Sequence, residues 1–149
     1  MFVNSDFSDL LSLFNAQGVK YLVIGGYAVV QHAEPRFTND LDLWIGAEIR
    51  NAAAVFGALR EFGAPLAGLS ESDFGEEGFF YRMGTAPARV DILMGIPGVG
   101  FDDAWRRRIE VDFDGLLVPF ISRDDLIEAK RASGRPQDLL DVDSLLGML

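Results

Sequence analysis

The sequence predicts an α/β (α+β) fold: a mixed β-sheet with flanking helices and a short C-terminal helical pair, in a single domain spanning residues 1–149. Three observations carry that expectation. Short apolar runs bounded by Gly, Pro or Asp alternate with longer segments whose apolar residues recur at helical spacing. The elements read in the order α-β-α-β-α-β-β-α-β-β-α-α, which mixes helical crossovers with directly joined strand pairs. No internal repeat, low-complexity tract or linker divides the chain.

Taken in order, residues 6–17, DFSDLLSLFNAQ, place Phe7, Leu10, Leu11 and Phe14 on one helical stripe, with Ser5 as N-cap and Gly18 as the C′ residue. KYLVIGG is a strand too apolar to be half exposed, and it ends at Gly25 and Gly26. YAVVQHA continues as a short helix that Pro35 stops. DLDLWI alternates acidic and apolar residues, as a strand does. EIRNAAAVFGALREF is a helix closed by Gly63, and the polar, Gly-rich stretch 64–78 is expected to be a loop. GFFYRMG and ARVDILMG form a strand pair, and FDDAWRRR a short helix. IEVDFDGLLVPFI is a hairpin turning at Asp114-Gly115, a pair suited to a type I′ turn. Two helices, 123–133 and 136–146, flank the break Gly134-Arg135-Pro136.

The composition narrows the function. No apolar stretch approaches the roughly 20 residues of a membrane span, and MFVNSDFSD lacks the basic start and apolar block of a secretion signal. A soluble, cytoplasmic protein with no membrane partner is expected. The absence of cysteine excludes disulfides and thiolate metal sites. A net charge of −10 speaks against a broad phosphate-binding surface. Arg106, Arg107 and Arg108 form one basic run, readable as a solvated helix face, and Lys130, Arg131 and Arg135 form another.

Chemistry concentrates in YLVIGGYAVVQHAEPRFTNDLDLWIG, residues 21–46. Alternate strand residues share a face, so Asp40 and Asp42 project together while Leu41 and Leu43 point the other way. Two carboxylates so placed raise each other's pKa unless a cation intervenes. A hard divalent cation such as Mg²⁺, with Mn²⁺ as an alternative, binds such carboxylates together with substrate phosphates. Hydration at a sheet edge would serve equally. Gly25 and Gly26 precede a helix N-terminus, where backbone N–H groups favour phosphate and a triphosphate could approach closely. The pair is neither a Walker loop nor a dinucleotide fingerprint. A third acid, Asp91, sits inside the apolar run RVDILM; burial there demands a metal or a partner such as Arg82 or Arg89. Three acids on two strands could hold two metal ions for phosphoryl or nucleotidyl transfer.

IGG, then DLDL after the intervening residues 27–39, then VDIL downstream, together resemble the signature of the nucleotidyltransferase superfamily related to DNA polymerase β. RFTNDLDLWI and LIEAKRASGRPQDLLDVDSL resemble, more narrowly, its toxin-type branch from abortive-infection and type IV toxin–antitoxin systems. The resemblance implies NMP transfer from an NTP, with Asp40, Asp42 and Asp91 as catalytic and metal-binding acids. It places the triphosphate at Gly25 and Gly26, phosphates at Lys130, and Arg135 and Asp138 in the same C-terminal motif. Arg36 and Thr38 lie close enough to touch phosphate, although Arg36 could equally pair with Asp40 or Glu34, and Lys130 could simply be solvated. It further implies tRNA or another RNA, or a protein, as acceptor, and an antitoxin or a second copy of the chain as partner.

Two features depart from the family pattern. Gly26 stands where many active members carry Ser, and few residues follow the hairpin to form an acceptor-gripping domain. The acceptor is then held by a partner or second subunit, or is small. A non-catalytic nucleotide- or partner-binding member is the rival reading, and a metal-dependent phosphohydrolase is disfavoured by the lone histidine, His32. His32, Trp44 and Trp105 are expected to pack rather than to react.

Overall fold

The computed structural model describes residues 5–33, 38–84 and 89–148. Helix α1 (Ser5–Ala16) buries Phe7, Leu10, Leu11 and Phe14, the stripe its spacing predicts, and Gly18, at φ +69°, turns the chain into β1 (Tyr21–Ile24). All four residues of β1 are buried, which explains a strand with no polar alternation. Helix α2 (Gly25–His32) starts at the glycines rather than after them. Its end is pinned from β6 (Leu116–Phe120), because His32 Nε2 lies 2.7 Å from the carbonyl of Ile121, the residue that follows that strand. Pro35, the expected breaker, lies outside the described residues. Strand β2 (Leu41–Ile45) leads to α3 (Ile49–Phe62), and Asn51 locks that junction by bonding the backbone of Lys20 and Gly46.

The stretch expected to be a loop contains a 3₁₀ turn, Glu71–Gly75, closed by a reciprocal cap between Ser70 and Asp73. Phe74 explains it. This one buried aromatic in a polar segment meets Phe56, Phe79 and Tyr81 edge-on at 5.5–6.1 Å. Strands β3 (Phe80–Met83) and β4 (Val90–Leu93) follow, then the short helix α4 (Phe101–Arg106). Strand β5 (Ile109–Phe113) is joined to β6 through Asp114 and Gly115, both at positive φ, as a type I′ turn requires. Helices α5 (Arg123–Ser133) and α6 (Pro136–Leu145) close the fold.

The six strands form one mixed sheet in the order β3-β4-β2-β1-β6-β5. β1 runs antiparallel to β2 and parallel to β6, while β2 runs parallel to β4. The two hairpins, β3–β4 and β5–β6, therefore occupy the flanks. Trp44 is fully buried against Phe101, and Trp105 stacks on Phe101. The triple arginine is not merely a solvated face. Arg107 grips the buried Asp125 of α5 at 2.8 Å, Arg106 pairs with Asp103, and Arg108 lies over the Trp105 ring. Among the described residues no helix is long and apolar enough to cross a membrane.

Candidate active site

β1 ends where β2 and β4 begin. Ile24 is in register with Asp42, Asp42 with Asp91, and Asp91 with Arg82 of β3. Strand register alone therefore sets two carboxylates side by side on adjacent parallel strands, with a guanidinium beside the outer one. Arg82 takes Asp91 in a fork, Nε to Oδ1 at 2.7 Å and Nη2 to Oδ2 at 3.2 Å. Asp91 is buried, and this pairing compensates the loss of water around its charge.

Asp42 has a less comfortable position. It makes no ion pair with any described residue, and burial, followed by the charges of Asp91 and Asp40, pushes its carboxyl up to about 7. The positive charge of Lys130 only partly offsets this. The backbone of Gly25 lies directly against Asp42: a methyl group at Gly25 would sit 2.9 Å from the Asp42 Cγ and overlap a carboxylate oxygen. Gly25 also has φ +69°, so the sharp entry into α2 and the close approach to Asp42 need the same residue. Asp40, just before β2, is held by Arg89, Nη2 to Oδ2 at 3.0 Å, with both side chains about one-third exposed.

The opposite wall comes from the C-terminal helices. Ser122 caps α5 by accepting the N–H of Asp125. Lys130 then points inward between two buried acids of α6, 3.4 Å from Asp138 and 2.9 Å from Asp141. Arg135, at the start of α6 and largely exposed, donates Nε to Asp138 at 2.8 Å. Burial by itself would raise Asp138, but hydrogen bonds from Arg135 and Ser133 and the charge of Lys130 outweigh it, and the carboxyl sits at about 2. The stability from this cluster is therefore present above the ordinary carboxylate range and is lost as pH falls toward 2. Replacing Lys130 by Ala should cost about 3 kcal/mol or more, because two buried carboxylates lose their shared cation. Urea denaturation of Lys130→Ala at neutral pH checks this, and an unchanged midpoint would show that the lysine is dispensable to the fold.

The two walls enclose an open cleft of about 530 Å³. Gly25, Asp42, Asp91, Lys130, Arg135 and Asp138 all line it, so residues far apart in the sequence face one space. Gly26 is buried in α2 rather than exposed to the cleft. Thr38 reaches back to the carbonyl of Asp40 at 3.5 Å, and Arg36 lies outside the described residues. Among the described residues no three acids already converge as a metal cage. Asp42 and Asp91 nevertheless fit a hard divalent cation: they are adjacent oxygen donors, and the charge of Asp42 is only partly compensated. Asp40 could join them on releasing Arg89.

The sequence matches no protein-family model and no curated protein. Solved structures do match. Over 99% of this chain and 98% of the other, it superposes on the lincomycin-bound lincosamide antibiotic adenylyltransferase LnuA at 17% identity, with TM-score 0.57. Over 96% and 91%, it superposes on a candidate nucleotidyltransferase from Thermotoga maritima at 16% identity, with TM-score 0.63. The chain has a nucleotidyltransferase-like fold. An antigenic nucleotidyltransferase-like protein from Paracoccidioides brasiliensis shares this fold over 95% of this chain and 73% of its own, at 17% identity and TM-score 0.56.

Within this nucleotidyltransferase-like fold, the cleft also contains residues to which the sequence assigns no site role. From spacing alone Arg82 enters only as a partner for Asp91, and Phe80, Ile96 and Pro97 do not enter at all, yet all four line the cleft. Along β3 the residues alternate, Phe80 and Arg82 exposed and Tyr81 and Met83 buried, a pattern that the mostly apolar run Phe-Tyr-Arg-Met does not display by itself. The missing information is the pairing of β3 with β4, which turns the Phe80–Arg82 side toward Asp91.

Proposed function

We propose that this protein is a Mg²⁺-dependent nucleotidyltransferase that moves NMP from an NTP onto an acceptor hydroxyl. The observation that carries this reading is the state of Asp42. It is half-buried between the Gly25 backbone and Asp91, and its carboxyl is raised to about 7, a local excess of negative charge that a divalent cation would relieve. Asp42 and Asp91 would hold the cation, with Asp40 completing the set. When bound, the cation supplies charge neutralisation for the phosphates and polarises the reacting oxygens.

The residues of the chain divide the remaining work. The Gly25 turn and the N-terminus of α2 receive the triphosphate, where the absence of a side chain allows close backbone approach. Arg135, exposed and at the mouth of the cleft, contacts phosphate, and Lys130 lends its charge from behind. Asp91, oriented by the Arg82 fork, accepts the hydrogen bond of the acceptor hydroxyl and draws its proton as the oxygen attacks the α-phosphorus. The bond from that phosphorus to the bridging oxygen breaks, and pyrophosphate leaves on the Gly25 side.

The toxin-like tail makes a bacterial toxin–antitoxin or defence component the setting we favour, with an antitoxin or a second copy as partner and the cytoplasm as location. Its Lys130, Arg135 and Asp138 form one ion-paired unit that is electrostatically linked to Asp42, which supports a shared role. A non-catalytic reading is favoured by one observation: Asp40 and Asp91 are both already held by arginines.

An assay with α-labelled NTPs, Mg²⁺ and cell extract separates the two. Wild-type protein should transfer label onto an acceptor, and Asp91→Asn should lower the rate by about a hundredfold or more, as expected for loss of a positioned base. Equal transfer by both proteins would remove Asp91 from the mechanism. NTP binding with no transfer by either would establish the non-catalytic reading.

A further inference from the structure

In-line transfer places the attacking and leaving oxygens at opposite ends of the α-phosphorus. With the triphosphate at Gly25, the acceptor must approach from the far side of Asp42, where β4, β3 and the segment after β4 stand. This conclusion rests on the transfer reading above. The chemistry of that side is distinctive. Phe80 and Leu93 are register partners facing the cleft, and Ile96 and Pro97 rise beside them. Leu126 and Ala129 of α5 close the other side. The segment after β4 is pressed onto α5, since a methyl at Gly98 would lie 2.7 Å from the Ala132 Cβ and 3.2 Å from the Glu128 carbonyl. The result is an apolar recess beside Asp91. At its rim stands Phe80, 47% exposed, with the Arg82 guanidinium 5.2 Å from its ring centre.

The cations of the cleft bear on what can enter it. Arg82 is bound to Asp91, Lys130 to Asp138 and Asp141, and Arg135 to Asp138. Among the described residues lining the cleft, each of these cations thus already faces a carboxylate, within a chain of net charge −10. A single triphosphate is served by the proposed divalent cation with Arg135 and Lys130 beside it. A nucleic-acid strand needs a succession of unpaired Lys and Arg contacts along its backbone, and the recess provides apolar surface instead.

We propose that the acceptor is a small hydroxylated molecule with an apolar or aromatic face, seated between Phe80 and the Ile96–Pro97 segment, and that it is not a nucleic acid. Phe80 determines its affinity by stacking on that face. Asp91 receives its hydroxyl. Arg82 holds Asp91 in place and frames the polar edge of the recess.

The test offers the protein, with α-labelled NTP and Mg²⁺, the RNA, protein and small-molecule fractions of a cell extract separately. Label should appear in the small-molecule fraction. Phe80→Ala should raise the apparent KM for that fraction about tenfold, the equivalent of losing one aromatic contact, and Phe80→Tyr should restore it. NTP affinity, read as thermal stabilisation by a non-hydrolysable NTP analogue with Mg²⁺, should not change in Phe80→Ala. Because Phe80 is half exposed on a flanking strand, its truncation should leave the fold intact, and the unliganded melting temperature verifies this. Label on RNA or protein would overturn the inference while leaving the transfer reading standing. A loss of NTP affinity in Phe80→Ala, with the acceptor KM unchanged, would also overturn it by giving the recess to the nucleobase. No label in any fraction would overturn the transfer reading and the inference with it.

Discussion

Replacing Asp42 by Asn should sharply lower nucleotidyl transfer and, at the same time, stabilise the protein above neutral pH. The two effects share one cause. Asp42 is half-buried beside Asp91 and Asp40, and partial loss of water together with their charges raises its carboxyl from 3.8 to about 7. A raised folded-state pKa means that the native state holds a proton which the unfolded chain has already released. Stability therefore falls as pH rises from about 4 to about 7, and the penalty is complete above that window. At 1.36 kcal/mol per pKa unit the penalty is at most about 4 kcal/mol, and relaxation of the site would reduce it. Asn is a neutral isostere of the protonated acid. Asp42→Asn and wild type should thus unfold at similar denaturant concentrations near pH 4, whereas near pH 8 the variant should be more stable by roughly 2 kcal/mol or more. Adding Mg²⁺ near pH 8 should stabilise the wild type and close part of that gap, because the cation binds a native state that the charged carboxylate has made receptive. Transfer should fall about a thousandfold, the equivalent of some 4 kcal/mol of lost transition-state stabilisation. If Asp42→Asn instead destabilises the protein near pH 8, Asp42 is a well-compensated anion and the argument for a cation site fails.

This trade explains why the site is partly legible in the sequence. A strand that alternates acid and apolar residues can be recognised from one-dimensional spacing, and the parity that buries Leu41 and Leu43 leaves Asp42 facing the cleft, whereas Asp40 lies just before the strand and does not line it. The same parity places Arg82 opposite Asp91 once β3 and β4 are paired, but the segment between those strands does not reveal their register. The helices are legible wherever an apolar stripe and a Gly terminator coincide, as in α1, α3 and α5. The 3₁₀ turn around Phe74 escapes a sequence reading because polar, glycine-rich composition conceals one buried aromatic anchor. Lys130 is ambiguous on its helix for a physical reason: a lysine facing solvent and a lysine facing Asp138 and Asp141 have the same local spacing. Only the packing of α6 on α5 decides between them.

Gly25→Ala should be the most damaging single methyl group in the cleft. Two costs are expected. An L-residue at φ +69° is strained by about 1–2 kcal/mol, and the new Cβ would overlap the Asp42 carboxylate, whose own Cβ is only 3.0 Å away. Asp42 cannot give way freely, because Asp91 flanks it in register on β4 and the β1 backbone pairs with it on the other side. We expect a total loss of about 3 kcal/mol or more, together with loss of NTP binding, since the side chain would fill the backbone approach that we propose phosphate uses. A double-mutant cycle with Asp42→Gly separates the two costs. With the carboxylate removed, the added methyl group should cost only the strain of its backbone conformation, leaving a coupling of at least about 1 kcal/mol between the positions. Additive effects would mean that Gly25 is required for the turn alone. Strong coupling would show that the glycine is there to let the backbone rest on a carboxylate, the arrangement on which both the proposed phosphate site and the proposed cation site depend.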